Sequence, residues 1–318
     1  MKFPSFHRFI LTFSFLVSFG TLLAQELPYS LMTPTGEIKG SLLMPDTKNA
    51  VPVVLLLSGS GPTDRNGNRP SMKCNNLKML AEALNINGIA SIRFDKRNIA
   101  QSKTATTAEI NLRFETYIND TKAWIDQIAK DKRFSKIIVA GHSEGALIGL
   151  VACVNNDKVK GYISIAGTGR PADEIMKEQL QTQPMDIRVS MYKMIDQLKN
   201  GDTIGNVPPQ YNSFFRKSVQ PYMISWFKYN PQIEIAKLEI PVLIVQGTMD
   251  IQVKFTDYDL LAKAKPTARK LLIPDMNHVL KSISTIDKVA QMQTYTNPDL
   301  PLEPKLADAI VQFVKKLN

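Results

Sequence analysis

Ser143, Asp250 and His278 are the residues of this chain whose types and order suit acyl transfer. A serine hydroxyl is a poor nucleophile until a base takes its proton, and that base needs a carboxylate to orient it. Ser143 lies in Gly141-His142-Ser143-Glu144-Gly145, a G-x-S-x-G run. The glycines suit a turn too tight for a Cβ, one that lifts the hydroxyl and leaves the Glu144 N–H at a helix start, where an oxyanion is welcome. The chain holds three histidines. His7 lies in the N-terminal leader, and His142 adjoins the nucleophile, where it is read as structural and pointing elsewhere. His278, in the loop Pro274-Asp275-Met276-Asn277-His278, remains as the base. Asp250 closes VLIVQGTMD between the other two, with Asp257, Asp259 and Asp275 as rivals. A second oxyanion N–H is expected from Ser60 in Ser58-Gly59-Ser60-Gly61-Pro62, with Gly61 as runner-up.

These residues need strand ends to hold them. Ile137 to Ala140 reads as a buried strand leading into the elbow, and the small, apolar stretch from Ala146 as a helix. Val53 to Leu57 is apolar throughout, which means a strand covered on both faces. Glu37 to Met44 alternates like an edge strand, paired near Ser30 to Thr33. Leu77 to Leu84 and Leu112 to Ala129 have helical spacing, whereas Ile89 to Phe94, Val159 to Ile165, Pro241 to Gln246 and Arg269 to Ile273 read as strands. That alternation describes a doubly wound α/β sheet. It breaks between Arg170 and Ala236, where helical stretches are cut by Pro and Gly pairs. This insertion is expected to lie over the carboxyl ends of the strands as a lid, with Phe214, Phe215, Tyr222 and Trp226 lining an apolar pocket. The domains expected are therefore a signal at 1–24, a core of 25–169 and 237–318, and a helical cap at 170–236.

Lys2 and Arg8 precede an apolar run from Phe9 to Leu23, shorter than the roughly 20 residues of a spanning helix. The expectation is a secretory signal cleaved after Ala24, a periplasmic or secreted protein, and no stable membrane insertion afterwards. The net charge is +10, and eight of that excess remain once Lys2 and Arg8 are gone. Much of it falls between Arg65 and Lys103 rather than in a basic tail, so it is read as solvated surface and no nucleic acid is expected as partner. Cys74 and Cys153 are read as unpaired, packed thiols. Asp64 to Asn68 fails as a calcium loop, Gly59-x-Gly61 lacks the spacing of a phosphate loop, and Cys/His spacing supports no metal. No cofactor is expected.

SGSGPTDRNGN at 58–68, RFDKRNIAQS at 93–102, GHSEG at 141–145, SVQPYMISWFKYNP at 218–231, IPVLIVQGTMDIQV at 240–253 and PDMNHVLK at 274–281 resemble a bacterial group of α/β-hydrolases. That group is related to serine esterases, acyl thioesterases and the prolyl-oligopeptidase-like branch. The resemblance spans nearly the whole chain past the leader. It implies an eight-stranded, mostly parallel sheet with helices on both faces and a helical cap. It also implies hydrolysis of short acyl esters, with Ser143, Asp250 and His278 at the triad positions and a small-molecule ester as partner. The same triad serves peptides and thioesters, because all three pass through one tetrahedral oxyanion. A role in ligand binding alone would need no base behind the serine. Asn98 and Ala100 stand where glycines are usual in this group. Asp95 and Arg97 are expected to tie their loop to the one before it.

Overall fold

Val51–Leu57 is apolar because neither of its faces meets water: Val53, Leu55 and Leu57 enter one hydrophobic cluster, and Val54 and Leu56 enter another. The computed structural model describes residues 26–317, and the signal expected at 1–24 lies outside them. Eight strands form one sheet: β1 (Glu26–Thr33), β2 (Gly36–Leu43), β3 (Val51–Leu57), β4 (Ala90–Phe94), β5 (Phe134–His142), β6 (Val159–Ile165), β7 (Val242–Gly247) and β8 (Arg269–Ile273). Their spatial order is β1-β2-β4-β3-β5-β6-β7-β8. β1 pairs antiparallel with β2, and β2 antiparallel with β4; every later pairing is parallel. The mostly parallel, eight-stranded sheet that the resemblance implies is the sheet the chain forms.

Eleven α-helices are found among the described residues: α1 (Asn76–Ile86), α2 (Phe114–Ile128), α3 (Glu144–Cys153), α4 (Ala172–Gln179), α5 (Met185–Lys199), α6 (Asn212–Phe215), α7 (Gln220–Trp226), α8 (Pro231–Ala236), α9 (Phe255–Ala264), α10 (Lys288–Thr296) and α11 (Pro304–Lys316). α3 carries almost no polar face because it is enclosed by the sheet, α2 and α8. α11 buries Leu306, Ile310 and Val314 against the other face, with α1 beside it. Each such aliphatic side chain contributes about 1.5–3 kcal/mol relative to exposure. Cys74 and Cys153 are both buried and unbridged.

Between β6 and β7 the chain builds α4 to α8, and these helices carry a cluster of their own around Ile195, Leu198, Phe215 and Phe227. This cap is fastened to the core at both ends. Phe114 stacks on Trp226 at 5.8 Å, and the Phe114 N–H donates to Ser225 Oγ at 2.8 Å. Arg170 donates to buried Asp257 at 2.7 Å.

Candidate active site

The turn after β5 is possible only without side chains on its flanks. A Cβ at Gly141 would lie 2.1 Å from the Gly145 carbonyl oxygen, and one at Gly145 would lie 2.5 Å from that of Ser58. Between them Ser143 has φ 56° and ψ −122°, a backbone that costs of order 1–3 kcal/mol and persists only where the surroundings over-determine it. Here β5 and α3 clamp it, and the Ser143 N–H donates to Ile165 O at 3.0 Å. The strain turns the hydroxyl out of the sheet at the carboxyl end of a central strand, beside the loop that follows β3.

His278 arrives in the loop after β8, and its ring faces both expected partners. Nδ1–H donates to Asp250 Oδ2 at 2.8 Å, and the Ser143 hydroxyl donates to the bare Nε2 at 3.1 Å. Asp250 is itself fixed. Its Oδ1 accepts from the Gln252 and Val253 N–H groups at 2.8 and 2.9 Å, and its Oδ2 also accepts from Gln246 Nε2 at 3.0 Å. Burial works against its charge, but His278 and those two N–H groups outweigh it and hold the carboxyl below the usual carboxylate range. The rivals are occupied elsewhere: Asp257 holds Gly169 and Arg170, Asp259 pairs with Lys263, and Asp275 occupies a left-handed turn.

α10, unmarked in the sequence reading, braces this constellation. Asn277 donates to Thr294 Oγ1 at 2.7 Å, and Gln291 Nε2 donates to Met249 O at 3.0 Å, so one helix steadies the loops of both His278 and Asp250. The sequence signal was Asp287, which caps the helix by accepting from the Ala290 N–H.

His142 does not point away from the site. Its Nε2–H donates to the His278 carbonyl at 2.8 Å, with the rings 4.9 Å apart. Burial, reinforced by the neighbouring His278, lowers its pKa to about 3, so it stays neutral.

Ser60 and Glu144 flank Ser143 around a cavity of about 100 Å³. Neither N–H donates to a protein acceptor among the described residues. Gly61, the runner-up, lines a neighbouring cavity of about 480 Å³ instead. Beneath this loop lies a buried group that the sequence reading passed over. Lys96 Nζ donates to Gly59 O at 2.7 Å and to Glu144 Oε2 at 3.3 Å, while the Tyr222 hydroxyl donates to Glu144 Oε1 at 2.8 Å. Burial lowers the Lys96 pKa against the pull of Glu144. Its position just past the end of β4 was the available clue.

Phe214, Tyr222 and Trp226 line the 480 Å³ cavity between cap and core. Phe215 does not: it is fully buried inside the cap cluster and presents no face to a ligand. The linking role expected of Asp95 and Arg97 also divides. Asp95 accepts from Arg65 in the preceding loop at 2.7 Å, whereas Arg97 reaches away to Asp120 on α2 at 2.6 Å. A further cavity of about 570 Å³ near Glu26 and Arg65 touches no member of the Ser143 cluster.

The Hydrolase_4 family model, described as serine aminopeptidase, S33, matches residues 70–210, a stretch that includes Ser143 and stops short of Asp250. Esterase EstD of Thermotoga maritima is 25% identical over 252 residues, covering 77% of this chain and 58% of that protein. The chain thus spans less than two thirds of that relative's length. Among solved structures, Est1E from Butyrivibrio proteoclasticus aligns with a TM-score of 0.59 at 17% identity, over 91% of this chain and 99% of its own. The α/β-hydrolase GrgF from Penicillium sp. sh18 aligns with a TM-score of 0.61 at 14% identity, over 92% and 99%. Sheet order and these structural likenesses agree that this chain has the α/β-hydrolase fold.

Proposed function

We propose that this protein is an exported serine hydrolase that cleaves carboxylic esters with short acyl groups. The observation that carries the reading is the unbroken line Asp250–His278–Ser143, at 2.8 and 3.1 Å, beside two uncommitted amides. Ser143 Oγ attacks the ester carbonyl as its proton passes to His278 Nε2. The Ser60 and Glu144 N–H groups hold the oxyanion. As the tetrahedral intermediate collapses, the C–O bond to the alcohol breaks and the alcohol takes the proton from Nε2. Water, giving its proton to His278 Nε2, then attacks the acyl-serine; the C–Oγ bond breaks, Nε2 returns the proton to Ser143 Oγ, and the acid leaves. Asp250 keeps the Nδ1–H tautomer throughout.

The cavity of about 100 Å³ beside Ser143, bounded by Leu147, Ile175 and Met176, suits a small acyl group. The name of EstD favours the ester, and the description of the matching family model favours a peptide. Export rests on Lys2, Arg8 and the apolar run before Ala24.

Turnover of p-nitrophenyl esters of graded acyl length, run beside aminoacyl p-nitroanilides, separates the two bonds. Ester turnover is expected to peak at short chains and to vanish in Ser143→Ala, and Asp250→Asn is expected to lose about 10⁴-fold in kcat. Faster cleavage of the anilides would replace ester by peptide. Undiminished turnover in Ser143→Ala would remove the mechanism altogether.

A further inference from the structure

Ser143 stands between two unlike spaces. On one side is the small cavity flanked by Ser60 and Glu144. On the other is a cavity of about 240 Å³ lined by His278, Tyr295, Met292, Gln252 and Arg69. No carboxylate lines this second cavity, and Arg69 is the one residue there of permanent charge. Other arginines of the chain are matched: Arg65 with Asp95, Arg93 with Glu26 and Arg97 with Asp120. For Arg69 the side-chain bond found among the described residues is to a hydroxyl, Nε–H donating to Thr63 Oγ1 at 3.1 Å.

That guanidinium is held in place. Its backbone exchanges bonds with Met72 at 2.8 and 3.0 Å. Thr63 Oγ1 donates onward to Ser60 O at 2.8 Å, which couples Arg69 to the loop beside the oxyanion site. The Arg69 Cζ also lies 3.8 Å from where a Cβ on Gly61 would be. Burial lowers the His142 pKa and raises that of Tyr295, and the positive charge of Arg69 adds a little to the first shift and offsets a little of the second.

Chemistry decides which half of an ester meets it. The leaving oxygen must lie beside His278 Nε2 to receive its proton, so the alcohol half occupies the cavity that His278 lines. The acyl half then falls on the Ser60 and Glu144 side. We propose that Arg69 receives an anionic group, a carboxylate, on the alcohol half of the substrate, so that the preferred substrates are short-acyl esters of small hydroxy acids. This rests on the ester reading above. A guanidinium offers a carboxylate two parallel N–H donors, which a neutral alcohol cannot use.

The test compares 3-acetoxybenzoate with 3-acetoxybenzamide on the purified full chain, each rate divided by that ester's spontaneous hydrolysis. A charged hydrogen bond of the usual strength corresponds to a preference for the anion of about 10- to 100-fold in kcat/KM. Arg69→Met is expected to bring the ratio near unity, and Arg69→Lys to restore part of it. Mono-4-nitrophenyl succinate, with its carboxylate on the acyl half, is expected to gain nothing from Arg69. A wild-type ratio at or below one overturns the assignment whatever the variants do. So does a preference that survives in Arg69→Met, or an Arg69-dependent preference for the succinate. Hydrolysis of both acetates without preference ends this inference alone, whereas no hydrolysis of any ester ends the ester reading with it.

Discussion

His142→Gln should leave a protein whose stability depends less on acid than the wild type's. His142 is buried and its pKa is about 3, against 6.5 for the free side chain. Between those values the unfolded chain binds a proton that the folded chain refuses, so stability is present above pH 6.5 and falls as the pH drops toward 3. At pH 4 the unfolded imidazole is almost wholly protonated and the folded one mostly neutral. About 2.5 pH units at 1.36 kcal/mol each make the loss from this residue about 3 kcal/mol between pH 7 and pH 4. The low value has causes in the contacts. Burial is the largest, followed by the His278 ring 4.9 Å away and by Arg69, with Asp250 opposing them. Glutamine keeps an N–H for the His278 carbonyl and has no proton to gain. Urea unfolding of both proteins across pH 7 to 4 reads the effect as a difference of differences. Whatever offset separates the two at pH 7, the gap should close by about 3 kcal/mol at pH 4 in the variant's favour. Curves that stay parallel across that range would refute the claim that His142 is held neutral by its surroundings.

Two further substitutions probe the loops around the site. Ala100 has φ 43° on an exposed turn, a conformation that costs a side chain roughly 1–2 kcal/mol, so Ala100→Gly should raise stability by up to about 1 kcal/mol after glycine's greater unfolded entropy is counted; an unchanged or lower urea midpoint would reject the strain. Lys96→Met should cost about 3–5 kcal/mol by leaving Glu144 buried with Tyr222 as its remaining side-chain partner, and adding Glu144→Gln should recover much of it; a single variant within about 1 kcal/mol of wild type would deny the pair its place in the fold.

What the sequence made legible was local or singular. The elbow could be read because its glycines stand two residues either side of the serine and answer a backbone need. The partners of Ser143 could be read because the histidines were few and Asp250 lies in the short loop just past the end of β7. Phe215 was misplaced because α6 has only four residues, too few to show a period, and neighbouring side chains on so short a helix face opposite ways: Phe214 is out and Phe215 in. α10 escaped notice because its inward face carries Gln291 and Thr294, polar residues buried to hold Asn277, so no apolar period marks it. Arg97 was assigned to the wrong neighbour because no spacing rule announces that Asp120 on α2 stands beside it.

Lys96 connects these observations. The Gly59 carbonyl that it holds belongs to the same peptide unit as the Ser60 N–H, and a trans peptide points its C=O and N–H in opposite directions. A bond that pins the one therefore aims the other. Across the same ammonium group lies Glu144, whose backbone N–H is the second amide beside Ser143 and whose side chain is also gripped by Tyr222 from the cap. One buried lysine thus aims the Ser60 N–H and holds the side chain of the residue that carries the second amide, more than eighty positions away in sequence, and the cap reaches that carboxylate through the Tyr222 phenol. Two donors aimed before a substrate arrives need no reorganisation when charge develops between them, which is the condition under which such donors lower a barrier most.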